Sequence, residues 1–380
     1  MTKLSLPKLG LLPVLTLLLV VASAACAGVA KSEGWSGGVV VDDVLYTGSM
    51  DGTLLAVEIA TGQPVWEFSS LQGEQRERAF YGDPVVVDEV VYAAAYNGFL
   101  YAISNEDGSK MWETQVGPGA EQLVGGPGYS DGVLVVGSSD GSVYAFDSAS
   151  GTELWNFATD SMVWTTPLVS DGVVYFGSMD KYVYAVSLSE GQEIWKTLVG
   201  GAVIAPPSIS NNRLFLGAFD GIFYSLDAST GQELWRFEDA GGWYWARALV
   251  TDTAVYAPSL DGRIYALSLD LGELLWQGPE NPDGPIIGSP AAVKDVLVFA
   301  SDGGTLWTAS LADGSKQRQC EIDEKLKTNV VATEDSIYLG AWDHTIRAFE
   351  MNQFGVLNTR WVYKTDREMS ENPVNDVSSC

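Results

Sequence analysis

The sequence predicts an all-β protein, an eight-bladed β-propeller whose blades are four-stranded antiparallel sheets. Three observations carry that prediction. An Ala, a Gly six residues on and a Trp four further recur down the chain; a turn pair headed by Asp or Asn stands fifteen residues ahead of each Trp; and short apolar runs rich in Val, Ile, Tyr and Phe alternate with turn residues, without a sustained helical period beyond the N-terminus. A period near forty residues is too long for one hairpin, so each unit is a supersecondary module that buries its apolar face only against its neighbours.

The phrase reads Ala56…Gly62…Trp66, Ala102…Gly108…Trp112, Ala145…Gly151…Trp155, Ala185…Gly191…Trp195 and Ala266…Gly272…Trp276, while Ser225…Gly231…Trp235 keeps the spacing with Ser in first place. The turn pairs are Asp51-Gly52, Asn97-Gly98, Asp140-Gly141, Asp180-Lys181, Asp220-Gly221 and Asp261-Gly262. The series continues through Asp302-Gly303 and Asp343-His344, which makes eight units. Such a pair between alternating apolar runs signals a two-residue hairpin with both residues at positive φ. In the fourth unit the strands fall at 167–170, 173–178, 182–188 and 193–197, separated by turns at Asp171-Gly172, Asp180 and Gly191. Four such strands, repeated, form a propeller blade.

Gly62 and its equivalents supply a left-handed turn between the third and fourth strands, and the Ala sits where a larger side chain would foul the adjoining blade. Trp66, Trp112, Trp155, Trp195, Trp235 and Trp276 are then expected between blades as structural docking residues, not as ligand contacts. In the seventh unit Ala309 meets Gly314 one residue early, and the Trp position falls among Gln317, Arg318 and Gln319; in the eighth, Ala348, Gly355 and Trp361 are spread out. These units flank the seam where the ring closes. Seven blades are the alternative if one of them is not a full sheet.

From about Gly34 to Lys364 the phrase resembles the tryptophan-docking motif of the quinoprotein-type (PQQ-like) propeller repeat. Two classes built on that repeat matter: large quinoprotein dehydrogenases, and non-catalytic BamB-like lipoproteins of outer-membrane assembly. The first class would carry a neighbouring Cys-Cys pair, a carboxylate base, a Glu/Asn/Asp calcium cage and long insertions. This chain has no Cys-Cys, and blades account for its length. The resemblance therefore implies a non-enzymatic protein without a cofactor; PQQ with calcium, in a dehydrogenase or a PQQ-binding protein, is the alternative. The sequence contains no HExxH, paired CxxC, GxSxG or phosphate loop, its single His344 lies at a hairpin turn, and no metal site is read from it.

The chain divides into a leader at 1–26, a linker at 27–34, the propeller at 35–365 and a polar tail at 366–380. The leader has Lys3 and Lys8 in its n-region and a mostly apolar stretch over 11–25, short of the roughly 20 residues a spanning helix needs. Ser23-Ala24-Ala25-Cys26 resembles a bacterial lipobox, with Cys26 as the lipidated residue; the alternative is an ordinary signal cut at which Cys26 is incidental. Either way the protein is exported, and lipidation holds it in the cell envelope at the outer membrane or the outer face of the cytoplasmic membrane. Cys320 and Cys380 could pair in an oxidising compartment, but read as free thiols without geometry to join them.

Formal net charge is -28, and removing Lys3 and Lys8 with a leader that has no acid takes it to about -30. No basic face is available to capture phosphates, which excludes a nucleic-acid partner. Membrane attachment must then come through the N-terminal anchor. Strand order places the second-to-third hairpin turns and the loops between consecutive blades on one face. Those loops carry the side chains that depart from the repeat: Arg76, Arg78, Tyr81, Trp164, Trp243, Tyr244, Trp245, Arg247 and Lys327. Trp, Tyr and Arg dominate binding hot spots, so this loop face is the expected site for a protein partner. The function expected is an extracytoplasmic propeller scaffold for protein–protein interaction, in envelope or outer-membrane protein assembly. Alternatives are the PQQ reading above and an extracellular small-molecule or glycan binder that stacks its ligand on residues 243–245.

Overall fold

The computed structural model describes residues 36–49, 51–70, 79–315, 317–322 and 324–365. Within them the chain forms eight four-stranded antiparallel sheets, with no helix among the described residues. Blades 1 to 8 span 39–69, 85–115, 128–158, 168–198, 208–237, 249–278, 291–321 and 331–364. Strands follow in sequence order across each sheet, and the first strands of neighbouring blades lie against one another around the axis, which places the fourth strands at the rim. All eight blades are complete, so the seven-bladed alternative is set aside.

The core lies between blades. Buried apolar clusters pair the second and third strands of one blade with those of the next, as where Val143, Ala145 and Trp155 meet Val174, Phe176 and Tyr184. Each docking tryptophan spans such an interface. Trp66, Trp112, Trp155, Trp195, Trp235 and Trp276 donate their indole N–H to a carbonyl of the following blade, at Asn105, Ser148, Leu188, Ala228, Leu269 and Leu311, over 2.7–3.1 Å. Trp361 closes the ring by donating to Ile59 O at 2.8 Å, across 302 residues of sequence.

The Gly of the phrase has two tasks. At Gly231 φ is +71°, and an added Cβ would stand 2.5 Å from Trp195 Cε3, so the glycine serves both the turn and the seat for its neighbour's indole.

The second-to-third turns differ from the two-residue form that their Asp-Gly pairs suggest. Ser138 N–H donates to Ser142 O and Gly141 N–H to Ser138 O, and of the Asp140-Gly141 pair only Gly141 has positive φ. That is a type I turn closed by a left-handed Gly. Asp140 explains the choice: its Oδ1 accepts the Ser142 N–H at 2.8 Å and its Oδ2 the Tyr144 hydroxyl at 2.7 Å. Two-residue turns with both φ positive occur instead between first and second strands, at Asp42-Asp43, Asp171-Gly172 and Asn211-Asn212.

The seventh unit keeps the phrase in a different phase. Gly304, at φ +97°, donates to Ser301 O as Gly141 does to Ser138 O, so the turn pair is Gly303-Gly304 and not Asp302-Gly303. Register pairing of Thr308 with Arg318 then gives Thr308…Gly314…Arg318, the regular spacing with Arg in the Trp position. Aliphatic side chains fill the interface with blade 8, including Leu306, Ile337, Met351 and Leu357. Cys320 on the fourth strand of blade 7 is disulfide-bonded, contrary to the free-thiol reading. The other two cysteines, Cys26 and Cys380, lie outside the described residues.

Candidate functional site

The loops between blades follow one construction. In blades 2 to 8 a backbone N–H at the second-to-third turn donates to a carbonyl of the loop that runs into that same blade from the preceding one: Tyr96 to Ala79, Ser139 to Gln122, Met179 to Met162, Phe219 to Ala202, Leu260 to Trp243, Asp302 to Pro285 and Trp342 to Lys325, over 2.8–3.1 Å. The loops and the Asp turns therefore share a face, as strand order required. The residue after each loop carbonyl is a buried wedge: Phe80, Leu123, Val163, Val203, Tyr244, Ile286 and Leu326. Several wedges pack where the preceding second strand ends in Gly, and a Cβ on Gly217 would fall 2.1 Å from Tyr244 Cβ.

Tyr244 is thus corrected from a partner contact to a wedge. It is 0% exposed, its ring lies 5.3 Å from Phe223, and its hydroxyl has no hydrogen-bond partner. Burial pushes its pKa far up. An extended loop alternates its side chains, so residues 243, 245 and 247 face away from the wedge. Exposure follows the alternation: Trp243 is 53% and Trp245 37% exposed, Arg247 is half-buried, and Ala246 and Ala248 are buried.

The same count orders all seven loops into tiers: the first holds Ala79, Gln122, Met162, Ala202, Trp243, Pro285 and Lys325, the second Tyr81, Val124, Trp164, Ile204, Trp245, Ile287 and Lys327, and the third Asp83, Gly126, Thr166, Pro206, Arg247, Ser289 and Asn329. Phe219 stacks on Trp243 with centroids 5.2 Å apart and lies 5.9 Å from Trp245, fixing both indoles. Trp164 donates to Ser139 Oγ at 2.9 Å, and Tyr81 lies 5.1 Å from Tyr96. Lys325 and Lys327 stand 4.8 and 4.1 Å from the Trp342 ring centre, and Lys327 lies 3.9 Å from an Asp302 oxygen.

Part of the third tier is linked in a run of hydrogen bonds. Asp83 Oδ1 accepts from Gly37 and Gly38 N–H at 2.7 and 3.1 Å, its Oδ2 from Asn329 Nδ2 at 2.8 Å, Asn329 Oδ1 from Ser289 N–H at 2.8 Å, and Ser289 Oγ from Arg247 N–H at 3.2 Å. Burial draws the Arg247 pKa down while Asp83, four blades away across the channel, opposes the shift.

The Asp of the turns belongs to the scaffold. Tyr144, Tyr184, Tyr224 and Tyr265 donate their hydroxyls to Asp140, Asp180, Asp220 and Asp261 over 2.5–2.7 Å. Burial and then that bond push Tyr144, Tyr224 and Tyr265 up to about 12, and raise Tyr184 further. At the eighth turn Arg347 replaces the Tyr and pairs with Asp343 at 2.6 Å. Among the described residues no three His, Cys, Asp or Glu side chains converge as a metal cluster would.

Of the expected site residues, Tyr81, Trp164, Trp243, Trp245, Arg247 and Lys327 lie on inter-blade loops of one face, and Phe219 joins Trp243 to Trp245. Arg76, Arg78 and Cys26 lie outside the described residues. Phe219 and Trp342 were missed because they lie on second-to-third turns rather than loops. Their signal is positional, since both occupy the place of Tyr96 in the repeat.

These features define the class, a quinoprotein-type eight-bladed propeller held by docking tryptophans, with its variable side chains on one face. The chain belongs to the family described as outer membrane protein assembly factor BamB, whose model matches residues 21–125, 116–198 and 180–338. Among solved structures it resembles BamB from Moraxella catarrhalis, at TM-score 0.71 and 19% identity over 84% of this chain and 94% of that one. It is equally similar to the computationally designed Ika8 protein, at TM-score 0.72 and 20% identity over 84% and 96%. At these identities the likeness is one of fold. No match is found among curated proteins.

Proposed function

We propose that the chain is a non-enzymatic scaffold of the cell envelope, exported and anchored through lipidated Cys26, that docks a protein partner on its loop face during outer-membrane protein assembly. Family membership supports the setting. The observation that carries the docking surface is the pair of exposed indoles, Trp243 and Trp245, held in place by Phe219. Large aromatic groups fixed in a partly solvated position lose little conformational entropy on binding, which is what makes them anchors. The docking role extends by proposal to Arg76 and Arg78, which fall in sequence between blades 1 and 2, and to Tyr81, Trp164 and Lys327.

The reading assigns no cofactor. Titration of the mature chain with PQQ plus calcium is expected to give no stoichiometric binding, and dye-linked alcohol oxidation by the loaded protein would overturn it. Detergent extraction and capture through the propeller should recover an integral outer-membrane protein. Trp243→Ala combined with Trp245→Ala should lower that recovery at least tenfold, about the loss expected of one hot spot, while the thermal transition stays in place. Undiminished recovery by the double variant would remove the loop face as the docking site.

A further inference from the structure

We propose that Cys320 is joined to Cys380, so that the C-terminal tail clasps the last blade of the ring to blade 7. The inference rests on the reading of Cys26 as the lipidated residue, because an alkylated sulfur forms no disulfide. Cys320 is disulfide-bonded, and the chain has three cysteines. With Cys26 committed to the anchor, Cys380 is the partner that remains.

The seam between blades 7 and 8 is the one that calls for a clasp. At seven glycines of the phrase, from Gly62 to Gly314, an added Cβ would stand 2.4–2.8 Å from an indole of the preceding blade. At Gly355 the nearest described atom is Val296 Cγ2, 3.7 Å away, and Arg318 holds the Trp position. Cys320 lies two residues beyond Arg318, on the same side of the strand. In blades 2 and 4 that position is Thr114 or Thr197, which donates to Gly151 O or Gly231 O of the next blade over 2.8 and 2.6 Å. Cys320 is accordingly buried among Leu306, Ile337, Leu339 and Leu357, residues of both blades. Its sulfur sits in the seam that has no docking indole.

Strand register puts the origin of the tail nearby. Cys320 pairs with Leu306 and Lys364 with Thr345, so both lie close to the second-to-third turn of their blades, on the loop face. Thr365 N–H donates to His344 O at 2.8 Å, which fixes the point of departure. The residues from 366 to 380 span up to roughly 50 Å when extended, ample for a neighbouring blade. On its other side blade 8 is held to blade 1 by Trp361, which donates to Ile59 O, and by Tyr363, whose hydroxyl donates to Glu67 at 2.8 Å. The cross-link supplies the matching hold on blade 7. It forms by exchange with an oxidising protein disulfide: the two thiols give up two protons and two electrons, and the oxidant leaves as a dithiol.

The test is a cysteine map of the full mature chain, extracted without reductant and digested with trypsin after alkylation of free thiols. The expected product joins peptide 319–325 to peptide 368–380, and reduction separates them with the gain of two hydrogens. Lipidated peptide 26–31 should appear unlinked. Cys380→Ser, a change at the chain end, should speed amide exchange in 318–321 and 357–364 about tenfold or more and leave 193–198 of blade 4 unchanged. Cys320 joined to any other cysteine, Cys320 recovered as a thiol, or unchanged exchange in Cys380→Ser would each overturn the proposal. The expected link beside an unlipidated peptide 26–31 would refute the anchor and still support the clasp.

Discussion

Replacing Trp195 by Ala tests the packing logic of the ring. The indole is 9% exposed, donates to Ala228 O at 2.9 Å, stands 6.0 Å from the Tyr175 ring and covers Gly231. Truncating a buried aromatic side chain costs about 3–5 kcal/mol. The lost hydrogen bond, about 1 kcal/mol with its carbonyl left in a narrow space, places the expectation near the middle of that range, at about 4 kcal/mol. Trp195→Phe keeps the ring and loses the bond, so about 1–2 kcal/mol is expected. Trp243→Ala removes the same residue type from a position 53% exposed and should stay within about 0.5 kcal/mol. Urea unfolding followed by circular dichroism measures all three, with a constant m-value showing that midpoint shifts report stability. A Trp195→Ala midpoint equal to the parent's, or a Trp243→Ala midpoint displaced as far, would refute the division of the tryptophans into docking and loop-face sets.

Two further outcomes are expected. Tyr144, Tyr224 and Tyr265 are raised from 10 to about 12 in the folded chain, so their contribution to stability is present in full below pH 10 and is lost as pH rises through 12. An alkaline titration should show part of the tyrosinate absorbance appearing late, together with unfolding between those values; ionisation of all tyrosines near pH 10 with the sheets intact would contradict it. Tyr244→Phe removes a buried hydroxyl without a partner, and is expected to leave stability unchanged or slightly raised, whereas Tyr244→Ala should cost about 3–5 kcal/mol. Loss of stability in the Phe variant, seen by the same urea assay, would show that the hydroxyl is bonded after all.

The architecture was legible because its determinants are local and repeated. Five Ala…Gly…Trp phrases and a sixth with Ser set the repeat, the turn pairs carry it on to eight units, and the indole and the glycine that seats it are both in the text, one blade apart. Turn geometry was less legible. Asp-Gly is compatible with a two-residue turn or with a longer one, and the choice depends on Asp140 reaching the Tyr144 hydroxyl, a contact four residues on that a turn rule does not consult. The phase of the seventh unit failed for a related reason: in Asp302-Gly303-Gly304 the turn chemistry fits two registers, and only pairing of Thr308 with Arg318 decides. Cys320 was read as a free thiol, with pairing only an option, since nothing in spacing brings two distant thiols together.

Tyr244 shows why the candidate site was half legible. Composition marks residues 243–247 as unusual but treats three consecutive aromatic residues alike, while an extended backbone sends neighbours to opposite sides. Lining up the loops would have separated them, because Phe80, Leu123, Val163, Val203, Ile286 and Leu326 occupy the Tyr244 position and all are buried. Stability constrains that position and the outward indoles of the rim. The alternating positions on the other side of the wedge are less constrained: the first tier holds Ala, Gln, Met, Trp, Pro or Lys, the second Tyr, Val, Trp, Ile or Lys, and the third Asp, Gly, Thr, Pro, Arg, Ser or Asn. Arg247 is such a position: half-buried, with its Nε enclosed and unpaired, it is a residue that packing between blades does not call for, and no rule of the repeat could have foretold it.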